Sequence, residues 1–196
     1  MNCKEQLINS LIKDGNYKKY LEIGTQYGNS INKVYCEIKH TVDPVMINRP
    51  VDAKFFNMTS DEFFRDLSFD ELYDIIFIDG LHHADQVLTD ICNSGARIAS
   101  DGCLVVHDLL PAAEINQKVP RECQVWNGDA WKAFYLLLKG NYDLSLEVHD
   151  FDHGVGVIRF GRNGLDQILC DFSDNLDRLD HVTYKLHFEE YKKLAL

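Results

Sequence analysis

Apolar positions fall into short uninterrupted runs separated by segments of helical spacing, the alternation expected when strands and helices follow one another. Leu7, Ile8, Leu11 and Ile12 recur at helical spacing and predict an amphipathic N-terminal helix. Residues 20–24 are short, apolar and glycine-ended, which reads as a buried strand. Ile31, Val34, Tyr35 and Ile38 return to helical spacing, so a helix is predicted over 30–39. Residues 41–44 and 53–58 read as two further strands, and 60–67, a serine followed by acids, as a capped helix. Residues 73–79 form the clearest strand, a continuous apolar run of the kind a central parallel strand needs when both faces are covered. A helix over 84–99, a strand over 102–108 and a helix over 130–138 follow. Two runs, 143–149 and 155–160, lie so close together that they can only pair as an antiparallel hairpin. From Leu165 onward the spacing is irregular, and a helical turn and a final helix are expected.

Strand–helix units closed by a hairpin predict an α/β fold with a doubly wound, mostly parallel seven-stranded sheet and a C-terminal antiparallel hairpin. In such sheets ligands bind at the carboxyl ends of the strands. The residues in that position are Gly24, Asp43, Met58 to Asp61, Asp79 to His83, and His107 with Asp108.

Composition narrows the partners. The chain has 196 residues and a formal net charge of −11, which argues against nucleic acid, since phosphate binding needs a basic footprint. No run approaches the roughly 18 apolar residues that span a membrane. The N-terminus lacks the apolar core of a signal peptide, so a cytoplasmic location is expected. Cys3, Cys36, Cys92, Cys103, Cys123 and Cys170 form no CxxC pair and read as reduced, mostly buried side chains.

The first strand ends in Glu22-Ile23-Gly24-Thr25-Gln26-Tyr27-Gly28. A glycine turn from strand to helix lets backbone approach a ligand. Gln26 stands where the dinucleotide fingerprint needs its second glycine, which argues against a nicotinamide-dependent dehydrogenase. The acid-x-Gly-x-x-x-Gly form resembles the first motif of class I S-adenosylmethionine-dependent methyltransferases, and the resemblance covers roughly residues 18 to 160. It implies a loop that cradles the methionine part of S-adenosylmethionine. Asp43 would accept both ribose hydroxyls, and Ser60 or Asp61 would meet the adenine amine. The implied cofactor set is Glu22, Gly24, Thr25, Gly28, Ser30, Asp43, Ser60, Asp61 and Asp79. The whole chain then reads as one methyltransferase domain: an N-terminal helix over 1–18, a cofactor-binding core over 19–160 and a C-terminal extension over 161–196.

The segments FIDGLHHADQVLTDI and SDGCLVVHDLLP are similar to a subgroup whose fourth strand ends in Asp-Gly-x-His and which includes small-molecule and sugar O-methyltransferases. Its metal-dependent members imply Asp79, His107 and Asp108 as ligands to magnesium or manganese, and His82 as a base, with Asp79 and His107 as further catalytic candidates. His107 departs from that pattern, which carries an acid there. Imidazole suits manganese, iron or zinc better than magnesium, and His107 could instead be a base or an acceptor contact. A hydroxyl becomes a nucleophile when a metal lowers its pKa or a base takes its proton.

Trp126 is a candidate to stack on a small-molecule acceptor, whereas Trp131 reads as core and Asp129 as the cap of the helix it begins. His83 reads as a packed or solvated neighbour of His82, and the group His149, Asp150, Asp152 and His153 as a polar, solvated hairpin turn. The N-terminal helix and the tail each offer a face for a homodimer. The competing reading is a non-catalytic member that binds the cofactor or a partner protein.

Overall fold

Burial decides where the sheet lies. In a computed structural model describing residues 2–196, β4 (Tyr73–Ile78) is buried everywhere except Asp74. Its parallel neighbours are β1 (Lys19–Ile23) on one side and β5 (Ile98–Val106) on the other. Outside β1 lie β2 (Ile38–Val42) and β3 (Lys54–Phe56), also parallel. Outside β5 the antiparallel hairpin of β6 (Leu144–His149) and β7 (Val155–Phe160) closes the sheet, giving the order β3-β2-β1-β4-β5-β7-β6. The chain reverses direction across the sheet between β1 and β4, and that switch point is where such sheets open a crevice.

Side chains alternate across the sheet and define two apolar layers. Leu21, Ile23, Ile76, Ile78, Leu104 and Val106 pack with α2 (Ser60–Asp66), α3 (Ala84–Gly95) and α4 (Trp131–Lys139). The same layer receives α5 (Gly164–Cys170), α6 (Phe172–Leu179) and α7 (Tyr184–Ala195), so the tail holds three helices where a turn and one helix were expected. Tyr20, Ile75, Phe77, Cys103 and Val105 face the other way and are covered by Leu7, Ile8 and Ile12 of α1 (Lys4–Gly15). All six cysteines are free thiols. No helix among the described residues is long and apolar enough to cross a membrane.

The helix predicted over 30–39 does not form. A single 3-10 turn, Ile31–Lys33, is followed by extended chain. Asn9 of α1 explains the difference: its side chain accepts from the Tyr35 N–H at 2.8 Å and donates to the Lys33 carbonyl at 2.9 Å, taking groups that a helix would have used. The apolar residues that suggested a helix divide accordingly, with Ile31 and Val34 buried against α1 and Tyr35 exposed. Strand–helix alternation therefore begins only after β3. α3 also ends earlier than expected, because the Arg97 carbonyl accepts from Tyr73 and the chain joins the sheet at Ile98.

Trp131 is fully buried among Tyr184, Phe188 and Tyr191, and ties α7 to the sheet through α4. Trp131→Ala should cost about 3–5 kcal/mol. Urea denaturation would measure the loss, and hydrogen exchange should show the amides of α7 losing protection first.

Candidate active site

The loop after β1 is shaped by one close approach and one buried acid. Gly24 has φ +87°, and a Cβ there would collide with the backbone carbonyl of Asp79, so the β1 and β4 ends can meet only at glycine. Gly28 closes the turn by donating its N–H to the Thr25 carbonyl at 2.8 Å and does not border the cavity. Asp43, just past β2, holds the loop from beneath. Its Oδ2 accepts from the N–H groups of Thr25 (2.9 Å) and Gln26 (2.8 Å), and its Oδ1 from Val45 (2.7 Å). Glu22 is buried and accepts from the Tyr20 hydroxyl at 2.7 Å. Burial, reinforced by the charge of Asp79, pushes its carboxyl up to about 7.

A cavity of about 680 Å³ opens over this loop, a volume typical of ligand sites. Glu22, Gly24, Thr25, Ser30, Asp43, Ser60, Asp61 and Asp79 border it, as do His82, His107, Asp108 and Trp126. Ser60 and Asp61 are not the helix cap. That role belongs to Thr59, whose hydroxyl accepts from the Glu62 N–H while Glu62 returns a bond to Thr59, a full capping box. Ser60 and Asp61 instead share the Gln86 amide with Asp90, whose carboxyl burial raises to about 6.

At the opposite end of the cavity the ends of β4 and β5 bring four titratable groups together. His82 Nδ1 and Asp108 Oδ2 are 2.8 Å apart, while His82 Nε2 lies 3.8 Å from Asp79 Oδ1, beyond hydrogen-bond range. Asp108 Oδ1 accepts from the buried Asn127 side chain at 2.7 Å. His82 and Asp108 both have φ 62°, a left-handed conformation that is costly outside glycine and that clusters at functional sites. The loop 127–129 clamps this geometry: Asp129 N–H donates to the His82 carbonyl, and Asp129 Oδ1 accepts from the Ala84 N–H at 2.8 Å. Asp129 thus caps α3, not the expected α4. The Trp126 ring lies 5.6 Å from the His82 ring, with its Nε1 bonded to the Lys118 carbonyl; His83 also packs on it, and Trp131 stays in the core.

His107 has both ring nitrogens engaged. Nε2 lies 2.7 Å from the carbonyl of Asp152 and Nδ1 lies 2.9 Å from Asp79 Oδ1. A carbonyl only accepts, so Nε2 must carry a proton, and a carboxylate favours one on Nδ1 as well. Burial works against the cation. The Asp79 charge and the hydrogen bonds to Asp152 and Asp79 outweigh it and lift His107 to about 10. For Asp79, burial is likewise outweighed by His107, Lys4 and His82, and its carboxyl sits well below the usual range.

Of the expected metal set, Asp79 and Asp108 stand together, and His107 lies beside them with both ring nitrogens facing acceptors. A ring donating from both nitrogens has no lone pair to coordinate an ion. The ligand atoms that the fold does bring within 4.8 Å of one another belong to Asp79, His82 and Asp108. Sequence reasoning missed two participants. Lys4 reaches in from α1 and places Nζ 2.7 Å from Asp79 Oδ2, and nothing in the local sequence marks it. Asp152, read as part of a solvated turn, accepts from the Lys4 N–H at 2.9 Å through its side chain and from His107 through its carbonyl. In the structure Asp152, His153 and Gly154 all have positive φ; the only sign of this in the sequence was the Asp-His-Gly composition of the turn, residue types that tolerate that conformation.

The strand order, the glycine turn at the switch point and the acid after β2 define the class I S-adenosylmethionine-dependent methyltransferase fold. A family model described as a methyltransferase domain matches residues 48–109, the stretch that carries Ser60, Asp79, His82 and Asp108. Methyltransferase PaMTH1 from Podospora anserina, solved with S-adenosylhomocysteine, has a TM-score of 0.59 at 15% identity over 80% of this chain and 77% of its own. The O-methyltransferase of Bacillus cereus, also with S-adenosylhomocysteine, gives 0.57 at 14% over 79% and 80%. The O-methyltransferase TomG from Streptomyces achromogenes, solved with S-adenosylmethionine, gives 0.57 at 13% over 80% and 79%. At these identities the likeness is one of fold. No curated protein matches the sequence.

Glu22 makes stability fall as pH rises. Its carboxyl titrates near 7 in the folded state against 4.5 ordinarily, so between those values the unfolded chain gives up a proton that the folded chain retains. Glu22→Gln keeps an acceptor for Tyr20. It should match the parent at pH 4.5 and exceed it by about 2–3 kcal/mol at pH 8, at ~1.4 kcal/mol per pH unit. Denaturant titrations at the two pH values would check this.

Proposed function

We propose that this chain transfers the methyl group of S-adenosylmethionine to an oxygen of a small hydroxylated molecule, such as a sugar or a sugar-containing product. The observation that carries the reading is the Asp108–His82 pair at the strand ends, 2.8 Å apart and bordering the same cavity as the β1 loop.

The cofactor's shape and polarity suit the β1 side of the cavity. Gly24 admits backbone to close range there, and Glu22, Thr25 and Ser30 surround the place for the methionine part. Three backbone N–H groups already use three of the four acceptor positions of Asp43, leaving one on Oδ1 for a ribose hydroxyl. Ser60, Asp61 and the Gln86 amide offer polar partners for adenine. Bound there, the cofactor supplies an electrophilic methyl group.

The protein's share of the chemistry falls to His82. With Nδ1–H donated to Asp108, the lone pair of the neutral ring is on Nε2, and Nε2 takes the proton of the acceptor hydroxyl. Asp108, held by Asn127, then stabilises the imidazolium, as does the Asp79 charge at 3.8 Å. Trp126 beside the ring offers a flat apolar face to the acceptor. Residues of this kind on a cofactor-sized cavity favour an enzyme over a passive binder.

Calorimetry should show one saturable site for S-adenosylmethionine, and no heat at millimolar cofactor would sink the reading. His82→Ala should lower kcat by about 10²–10⁴-fold while leaving cofactor affinity within a few-fold. Burial lowers the His82 pKa, but the Asp108 hydrogen bond and the Asp79 charge outweigh it, so the net shift is upward from 6.5. The base acts when neutral. The rate should therefore climb with pH to a plateau, with its midpoint above 6.5, and His82→Ala should flatten that profile.

A further inference from the structure

Three carboxylates, Asp79, Asp108 and Asp152, gather around His107 and Lys4. Lys4 is held at both ends: its N–H donates to Asp152 Oδ2 at 2.9 Å and its ammonium to Asp79 Oδ2 at 2.7 Å. Its side chain is only 15% exposed, and Nζ lies 5.5 Å from the centre of the Phe77 ring. The ammonium is 3.3 Å from His107 Nδ1; both are donors converging on Asp79. A divalent ion does not fit this arrangement. To engage Asp79 together with Asp108 it would have to displace an ammonium already bonded to Asp79 Oδ2, adding two further positive charges to a group that already holds Lys4 beside His107.

We infer that Lys4 is, with His107, a resident cation of this cluster: its ammonium fills on Asp79 Oδ2 the charge-neutralising role of a metal ion and keeps the Asp79–His82–Asp108 group from coordinating one. Methyl transfer at this site is then independent of added metal. The inference rests on the methyl-transfer reading only for that catalytic consequence, because occupancy of the cluster can be measured without any acceptor. Lys4 acts through Asp79 and His107, as a positioning residue.

The test titrates manganese(II) into the full chain and follows the electron paramagnetic resonance signal of the free aqueous ion. Lys4→Met should bind one ion at least about tenfold tighter than the parent, a difference of about 1.4 kcal/mol. Lys4→Arg, which keeps the charge, should behave as the parent. Adding His82→Ala to Lys4→Met should remove the gain, which assigns it to this cluster and not to the acidic surface. Circular dichroism and thermal midpoints verify folding. Should Lys4→Met fail to fold, Lys4→Gln, which keeps a donor without charge, carries the same expectation. A parent that binds manganese as tightly as Lys4→Met, or a Lys4→Met that gains nothing, overturns the inference. In the transfer assay, a chelator should leave the parent's rate unchanged, and a chelator-sensitive rate restored by metal also overturns it. If no transfer is detected with any acceptor, the function proposed above is what fails, and the manganese titration still decides the role of Lys4.

Discussion

Asp79 carries a negative charge at the end of the most deeply buried strand, and an ionised carboxylate withdrawn from water costs several kcal/mol unless cations and donors reach it. Much of the surrounding structure answers that requirement. β5 sends His107, α1 sends Lys4, and the β6–β7 turn sends the Asp152 carbonyl to fix the far side of the His107 ring. A helix on one face of the sheet, the central strands and the edge hairpin are thereby joined at one point. The same charge adds to the burial that lifts Glu22 beneath the neighbouring loop, and adds to the Asp108 hydrogen bond in raising His82.

The cavity has two ends of different character. On the β1 side the lining is mainly backbone and neutral or hydrogen-bonded polar groups, with Asp43 consumed largely by its own loop. On the β4–β5 side it is charged, with an Asp–His pair beside a second histidine whose two nitrogens both face acceptors. Two histidines close to adjacent strand ends thus differ in what their ring nitrogens can offer. Their partners decide the difference: a carboxylate on one nitrogen leaves His82 a lone pair, whereas a carboxylate and a carbonyl on the two nitrogens leave His107 none.

Much of the fold was legible because parallel strands buried on both faces must be apolar, and 73–79 and 102–108 announce themselves in that way, while the hairpin is marked by the short turn between its two runs. The glycine turn, Asp43, Asp79, His82 and Asp108 were legible because strand ends are where such sheets bind ligands. What escaped was non-local. The failed helix at 30–39 depends on Asn9, the capping role of Asp129 on a helix far behind it in sequence, and Lys4 on a strand it meets only in the folded state. Periodicity reports which face of an element is apolar. It cannot report which side chain of a distant element will claim a backbone group or a charge.

The two bonds of Lys4 also set the order in which the protein can become competent. They join positions 75 and 148 residues apart, so the charged end of the cavity is among the least local features of the chain. During synthesis α1 is made long before the turn that carries Asp152, and loop-closure entropy opposes contacts of that span until the intervening sheet exists. The loop after β1, by contrast, needs only β1, β2 and their neighbours. A growing chain would assemble the loop end of the cavity well before the charged end, so the cavity is complete only once the sheet nearly is.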